Sequence, residues 1–214
     1  AAAAQVAERC PALTGLVNNA GVAVTGPLEF LPIDELRRTL EINVVGAAEV
    51  TQRFLPLLRR AQGRVVNMSS TAGFLSLPML GAYAASKFAL EAMSDALRLE
   101  LRPWGLHVAV VEPGNIRTPM WDKTAQAAAA LSQRLPDEAR QLYEPQLNAT
   151  RRLAAEAQKG ASPPEVVARA VEHALTARFP RARYRVGASS RLEGFLADWV
   201  PGRLRDLIVA AMFR

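Results

Sequence analysis

Short apolar runs alternate along this chain with longer stretches of helical period. That alternation predicts a parallel sheet crossed by helices. Leu13 to Asn18 opens as an apolar strand and is ended by Asn19-Ala20-Gly21. Ile33 to Leu58 follows at helical spacing, with Pro32 ahead of it and Asp34 and Glu35 in its first turn, where the helix dipole favours acids. Pro56 is expected to kink or stop that helix. A second strand, Arg64 to Met68, leads through a loop of small residues into a helix that carries Tyr83 and runs to about Leu101. Arg102-Pro103-Trp104-Gly105 breaks it. A third strand, Leu106 to Val111, is closed by Glu112-Pro113-Gly114. The alanine- and arginine-rich stretch beyond it, including Ala127 to Leu131, has helical propensity. Pro163-Pro164 starts a helix over Glu165 to Thr176, with Ser162 as its expected cap, and Arg183 to Val186 reads as a fourth strand. In the tail, Leu192, Phe195, Leu196, Trp199, Leu204, Leu207 and Ile208 recur at helical spacing, which predicts a packed or lid-forming amphipathic element.

Composition narrows the class. A chain of 214 residues, half of them hydrophobic, fits one domain with a substantial core. No apolar run reaches the roughly 18 residues that span a bilayer. The start, Ala1-Ala2-Ala3-Ala4-Gln5, lacks the basic and apolar regions of a signal peptide. One cysteine, Cys10, excludes an internal disulfide framework and points to a reducing, cytoplasmic setting. The net charge of +6 suggests nucleic acid at first sight. Yet the arginines are scattered among acids, only three of the 26 basic residues are lysines, and no basic-aromatic alternation appears. Nucleic-acid binding is therefore not expected.

Candidate chemistry concentrates in Gly81-Ala82-Tyr83-Ala84-Ala85-Ser86-Lys87. Tyr83 and Lys87 are four apart on a helix and share one face. A free phenol has a pKa of about 10 and is a poor base near neutrality. A neighbouring ammonium is expected to favour the phenolate and lower that value, making Tyr83 a proton-transfer group. Ser70, thirteen residues upstream, is a hydrogen-bond partner for a reacting oxygen, with Ser69 and Ser76 as rivals. His107 and His173 have no partner at metal-ligand spacing, so no metal site is expected. Asp34, Glu35, Asp137 and Glu138 read as helix-terminal charges.

Asn18-Asn19-Ala20-Gly21 at a strand end, Ser70, Tyr83 with Lys87, and Pro113-Gly114 after the next strand together resemble the short-chain dehydrogenase/reductase family. The likeness runs from about Ala12 to Met120 and continues more loosely beyond. The retinol, steroid and hydroxybutyrate dehydrogenase branch is the nearest in character. It implies an α/β, Rossmann-like doubly wound parallel sheet, present as its C-terminal part with about four strands. The family's opening strand and its Thr-Gly-x-x-x-Gly-x-Gly turn find no match among the thirteen glycines. On the order of 70 residues of βαβ structure are thus expected to be missing, as in a fragment. The division implied is a single domain over 1–214, a variable substrate-binding segment at 120–160 and a helical tail at 188–214.

The resemblance also implies roles. Tyr83 is the acid/base that moves a proton to or from the substrate oxygen as hydride passes. Lys87 lowers the Tyr83 pKa and bonds the nicotinamide ribose hydroxyls, and Ser70 polarises the substrate oxygen. Asn43 holds a water for proton relay or satisfies buried backbone groups. Asn18, Asn19, Ala20 and Gly21 pack against the cofactor. Pro113 and Gly114 shape a loop that meets the carboxamide through the Ile116 backbone and the Thr118 hydroxyl. The cofactor is NAD or NADP and the substrate a mainly apolar secondary alcohol or ketone, turned over in a homodimer or homotetramer. A membrane-surface role for the tail is a further reading. The rival readings are a fragment or interaction protein without cofactor binding, and an epimerase or dehydratase.

Overall fold

The computed structural model describes residues 2–213. Four strands form one all-parallel sheet in sequential order: β1 (Gly15–Asn18), β2 (Arg64–Met68), β3 (His107–Pro113) and β4 (Arg183–Val186). The crossovers are α2 (Ile33–Leu40) running into α3 (Gly46–Ala61), then α4 (Gly81–Leu101), and finally α5 (Met120–Arg134), α6 (Asp137–Lys159) and α7 (Glu165–Thr176). A short helix, α1 (Ala2–Arg9), precedes them, and α8 (Ala188–Trp199) and α9 (Gly202–Met212) close the chain. The opening helix, absent from the pattern reading, follows the propensity of its alanines.

Both faces of the sheet are covered, which is why its strands read as nearly unbroken apolar runs. On one face Val66, Ala109, Val111, Tyr184 and Val186 pack beneath α7, whose Ala174 is 1% exposed. On the other, Val65, Leu106 and Val108 meet Leu58 of α3 and Leu101 of α4. Full burial of one such valine or leucine is worth about 1.5–3 kcal/mol.

A polar chain crosses this core. Asn18 and Asn67 pair across β1 and β2, and the Asn18 amide donates to Asn67 Oδ1 and Thr51 Oγ1, both at 2.8 Å. Asn67 in turn donates to Ser94 Oγ of α4 at 2.8 Å. The chain ties the sheet to α3 and α4, the two helices that cover this face. Asn67→Ala leaves Asn18 and Ser94 each short of a partner in the interior, so chemical denaturation should show a loss of about 3 kcal/mol.

Three expectations need correction. Of the two outcomes expected at Pro56, a kink or a stop, the stop does not occur, because α3 continues to Ala61 and closes at Gln62, φ 48°. Pro56 and Gln52 are both exposed, so water can satisfy the carbonyl that the missing N–H leaves unbonded. Ser162 does not cap α7, whose N-cap is Pro164. Its backbone instead forms a parallel bridge to Ile116, with Ser162 N–H donating to Asn115 O and Arg117 N–H donating to Ser162 O, both at 2.9 Å. In the tail, Leu192, Phe195, Trp199, Leu204 and Leu207 face outward, and Ser190 and Gly194 pack inward instead. Gly194 is that close because a Cβ there would lie 2.6 Å from Arg185 Nη1. Among the described residues, no helix is long and apolar enough to cross a membrane.

Candidate active site

The C-terminal ends of β1, β2 and β3 lie along one edge of the sheet, and three loops leave there: 19–22, 69–73 and 114–118. This is the edge at which open parallel sheets bind ligands. α4 brings Tyr83 and Lys87 to it. Lys87 is 5% exposed, donates to the carbonyl of Met68 at 2.8 Å, and lies 5.7 Å from the centroid of the Tyr83 ring. Ser70 caps the 3-10 turn Thr71–Gly73, accepting from Ala72 N–H at 3.2 Å, and its hydroxyl stands near enough to the Tyr83 phenol to favour the phenolate. Successive residues leaving a strand point to opposite sides. Ser69 accordingly turns into the interior toward Glu91, and Ser76 is exposed elsewhere on the loop.

The electrostatics differ from expectation. Burial pushes the Tyr83 phenol up, and the Ser70 hydroxyl offsets only part of that. Lys87 does not bring it down, because the ammonium sits over the ring face and is directed to Met68. Burial pushes Lys87 down to about 8, opposed by the negative charge of Glu91.

Asn43 stands in a π-helical turn, Glu41–Val45, between α2 and α3 and is 1% exposed. Its Oδ1 accepts from Val22 N–H at 2.8 Å, and its amide donates to Val22 O at 2.8 Å and Ser86 Oγ at 2.9 Å. Ser86 Oγ donates onward to the Tyr83 carbonyl at 2.7 Å. Asn43 thus pins the loop after β1 to the first turn of α4, and both of its amide protons are committed. Of that loop, Asn18 faces the sheet, Asn19 and Ala20 are exposed, and Gly21 approaches closely. A Cβ on Gly21 would stand 3.3 Å from Asn43 Oδ1 and 3.7 Å from Lys87 Nζ.

The third loop is held from behind. Gly114 N–H donates to Val186 O and Asn115 N–H to Ser189 Oγ, both at 2.9 Å. A Cβ on Gly114 would lie 2.7 Å from Ser190 N, so only glycine lets α8 start there. Pro113 ends β3, Ile116 is 9% exposed and Thr118 is exposed. The Ile116 carbonyl accepts the Trp121 indole N–H at 2.6 Å, a contact the sequence reading missed.

A sequence model described as short chain dehydrogenase matches residues 1–129. The chain belongs to the short-chain dehydrogenase family. Mouse retinol dehydrogenase 5 is 40% identical over 203 residues, covering 92% of this chain and 64% of that protein. The NADPH-dependent 3-dehydrocapnine reductase of Ornithobacterium rhinotracheale is 37% identical over 201 residues, covering 92% of this chain and 69% of the reductase. The structure of a short-chain dehydrogenase from Streptomyces avermitilis superposes with a TM-score of 0.77 at 31% identity, over 98% of this chain and 74% of that one. The chain thus spans just under two thirds of the length of its retinol dehydrogenase 5 relatives. The similarity to short-chain dehydrogenases establishes the Rossmann-like α/β class.

Beside this edge, a cavity of about 510 Å³ opens between the start of α4, α6 and α9, lined by Leu28, Leu77, Met79, Tyr143, Gln146 and Phe213 among others. Its walls are almost wholly apolar, and Ser70, Tyr83 and Lys87 do not line it. Tyr143 also donates to Glu29 at 2.7 Å, tying α6 to the loop after β1. Neither histidine enters the site: His173 pairs with the Tyr184 hydroxyl at 2.9 Å, and His107 is exposed on β3.

Proposed function

We propose that this chain carries the proton-transfer half of an NAD(P)-dependent oxidoreductase site that interconverts a secondary alcohol and its ketone. The convergence of Ser70, Tyr83 and the buried Lys87 at the sheet edge carries the reading. The nicotinamide, when bound, supplies or accepts the hydride. Tyr83 gives a proton to the developing alkoxide or takes one from the alcohol, and Ser70 holds the same oxygen by hydrogen bonding. Lys87 keeps positive charge next to the phenol. Among the described residues its ammonium has one hydrogen-bond acceptor, Met68 O, and two of its three protons remain for ribose hydroxyls.

The chain's own groups fit that cofactor half. Gly21 lets the backbone pass within reach of Lys87, Asn19 and Ala20 are open, and the loop from Pro113 to Thr118 borders the same edge. Asn43 positions these parts, and a relay water is assigned to its main chain because its side-chain amide is committed. The NADPH dependence named for the capnine reductase supports a nicotinamide cofactor. NAD and NADP are both retained. An apolar substrate is supported by the neighbouring cavity, to which the 120–160 segment contributes Tyr143 and Gln146. Exposed Val50 on α3, and Phe88 and Leu99 on α4, support pairing of these helices in a homodimer or homotetramer.

The test is turnover of the protein with NAD and NADP against a panel of steroid and aryl secondary alcohols and of retinoids. Reduced nicotinamide is expected with at least one of them. No turnover with any, despite cofactor binding, would contradict the reading.

A further inference from the structure

Lys87 is buried, and no carboxylate bonds it directly among the described residues. A lysine so placed tends to shed its proton, because desolvation penalises the charged form. One helical turn on, on the same face, lies Glu91, 7% exposed. Its Oε2 accepts from Arg183 Nε of β4 at 3.2 Å. Its Oε1 is buried and makes no hydrogen bond of good geometry; nor does Ser69 Oγ, which faces it beneath Gly73. The fit there is tight: a Cβ on Gly73 would lie 2.5 Å from Ser69 Oγ and 3.2 Å from Glu91 Oε1.

The charges around Glu91 come from every element packed on it. Asp95 of α4 pairs with Arg183 Nη2 and with Arg98, both at 2.7 Å. Glu112 of β3, 1% exposed, faces Arg183 Nε at 3.3 Å and Arg185 Nε at 3.2 Å. Asp198 of α8 takes Arg185 Nη1 at 2.6 Å, and Glu193 of α8 bonds Thr71. Glu91, Asp95, Glu112 and Asp198 share three arginines, Arg98, Arg183 and Arg185, and Glu193 adds a fifth carboxyl, so acids outnumber arginines in this cluster. Lys87 is the cation beside it. Burial pushes the Glu91 and Glu112 carboxyls up, Glu112 to about 7, and Arg183 opposes the rise at each of them.

We propose that Glu91, backed by this acid-rich cluster, is a positioning residue that keeps Lys87 protonated behind Tyr83. Arg183 holds the carboxylate in place through Oε2, one helical turn from Lys87 on the same face of α4. The inference rests on the oxidoreductase reading for its purpose and on the geometry alone for its content. It makes the lysine's charge depend on β4 and α8, far from the reacting edge in sequence.

The chain suits a direct test because it has three lysines, Lys87, Lys123 and Lys159, and the last two are exposed. With 13Cε-labelled lysine, the Lys87 resonance reports its protonation without cofactor or turnover. In Glu91→Gln the Lys87 midpoint should fall by on the order of one pH unit, and Glu91→Asp should bring most of it back. An unmoved midpoint in a folded Glu91→Gln chain would overturn the proposal, since a purely structural glutamate would change stability alone. If Glu91→Gln does not fold, the unsubstituted chain decides. The Glu91 carboxyl carbon must report an ionised group throughout the range in which Lys87 titrates, and a protonated Glu91 there overturns the proposal equally. Either failure leaves the roles of Tyr83 and Ser70 standing, because turnover tests those separately.

Discussion

Tyr83→Phe is expected to lower kcat on the order of 10³-fold while leaving cofactor affinity and stability nearly unchanged. The substitution removes one oxygen. The ring keeps its place at the first turn of α4, with Lys87 5.7 Å from its centroid, and the lost polar contact is one to a half-buried serine that water can reach. The reacting oxygen then has Ser70 to bond it and nothing to exchange a proton with. A matched fall in kcat and kcat/KM is the signature of a group used in the transition state. Steady-state kinetics checks it, and a variant with retained turnover would remove Tyr83 from its assigned role.

Lys87→Met should move stability and activity in opposite directions. The ordinary lysine value of 10.5 applies to the unfolded chain, and burial brings the folded one to about 8. Between those values the unfolded chain holds a proton that the folded chain has released. The stability of the native protein therefore rises with pH from about 8 to 10.5, and below 8 it carries a constant penalty. That penalty is on the order of 3 kcal/mol. Methionine matches the length and carries no charge, so near neutrality Lys87→Met should be more stable by about 2 kcal/mol, allowing for the Met68 carbonyl left without its donor. The rise above pH 8 should vanish from its denaturation curves. Turnover should fall sharply. A variant less stable than the parent at neutral pH would show that Lys87 is not a desolvated cation.

The strand and helix order was legible because each element has its own periodicity and its own breakers, from Asn19-Ala20-Gly21 after β1 to Gly105 after α4. The contact of Tyr83 with Lys87 was legible for a similar reason: the two are local neighbours on one helix. Interactions set by sheet register were not. Asn67 is one polar residue in Arg64-Val65-Val66-Asn67-Met68, and only the pairing of β1 with β2 reveals that it faces Asn18. Arg183 and Arg185 alternate along β4, yet their partners Glu91, Asp95 and Glu112 lie up to 92 residues away. Glu91 itself could have been found, since it stands one turn beyond Lys87. The lowered phenol pKa was misjudged because spacing reports proximity along a helix. It does not report how far burial outweighs a cation placed over the ring.

Hydride transfer is the central claim, and isotope transfer measures it. The protein is incubated with NADH or NADPH carrying deuterium at the transferable position of the nicotinamide C4, together with a panel of retinoid, steroid and aryl carbonyl compounds. The account predicts deuterium on the carbinol carbon of the alcohol formed, and its loss with Tyr83→Phe. Product alcohol without cofactor deuterium on that carbon would contradict it.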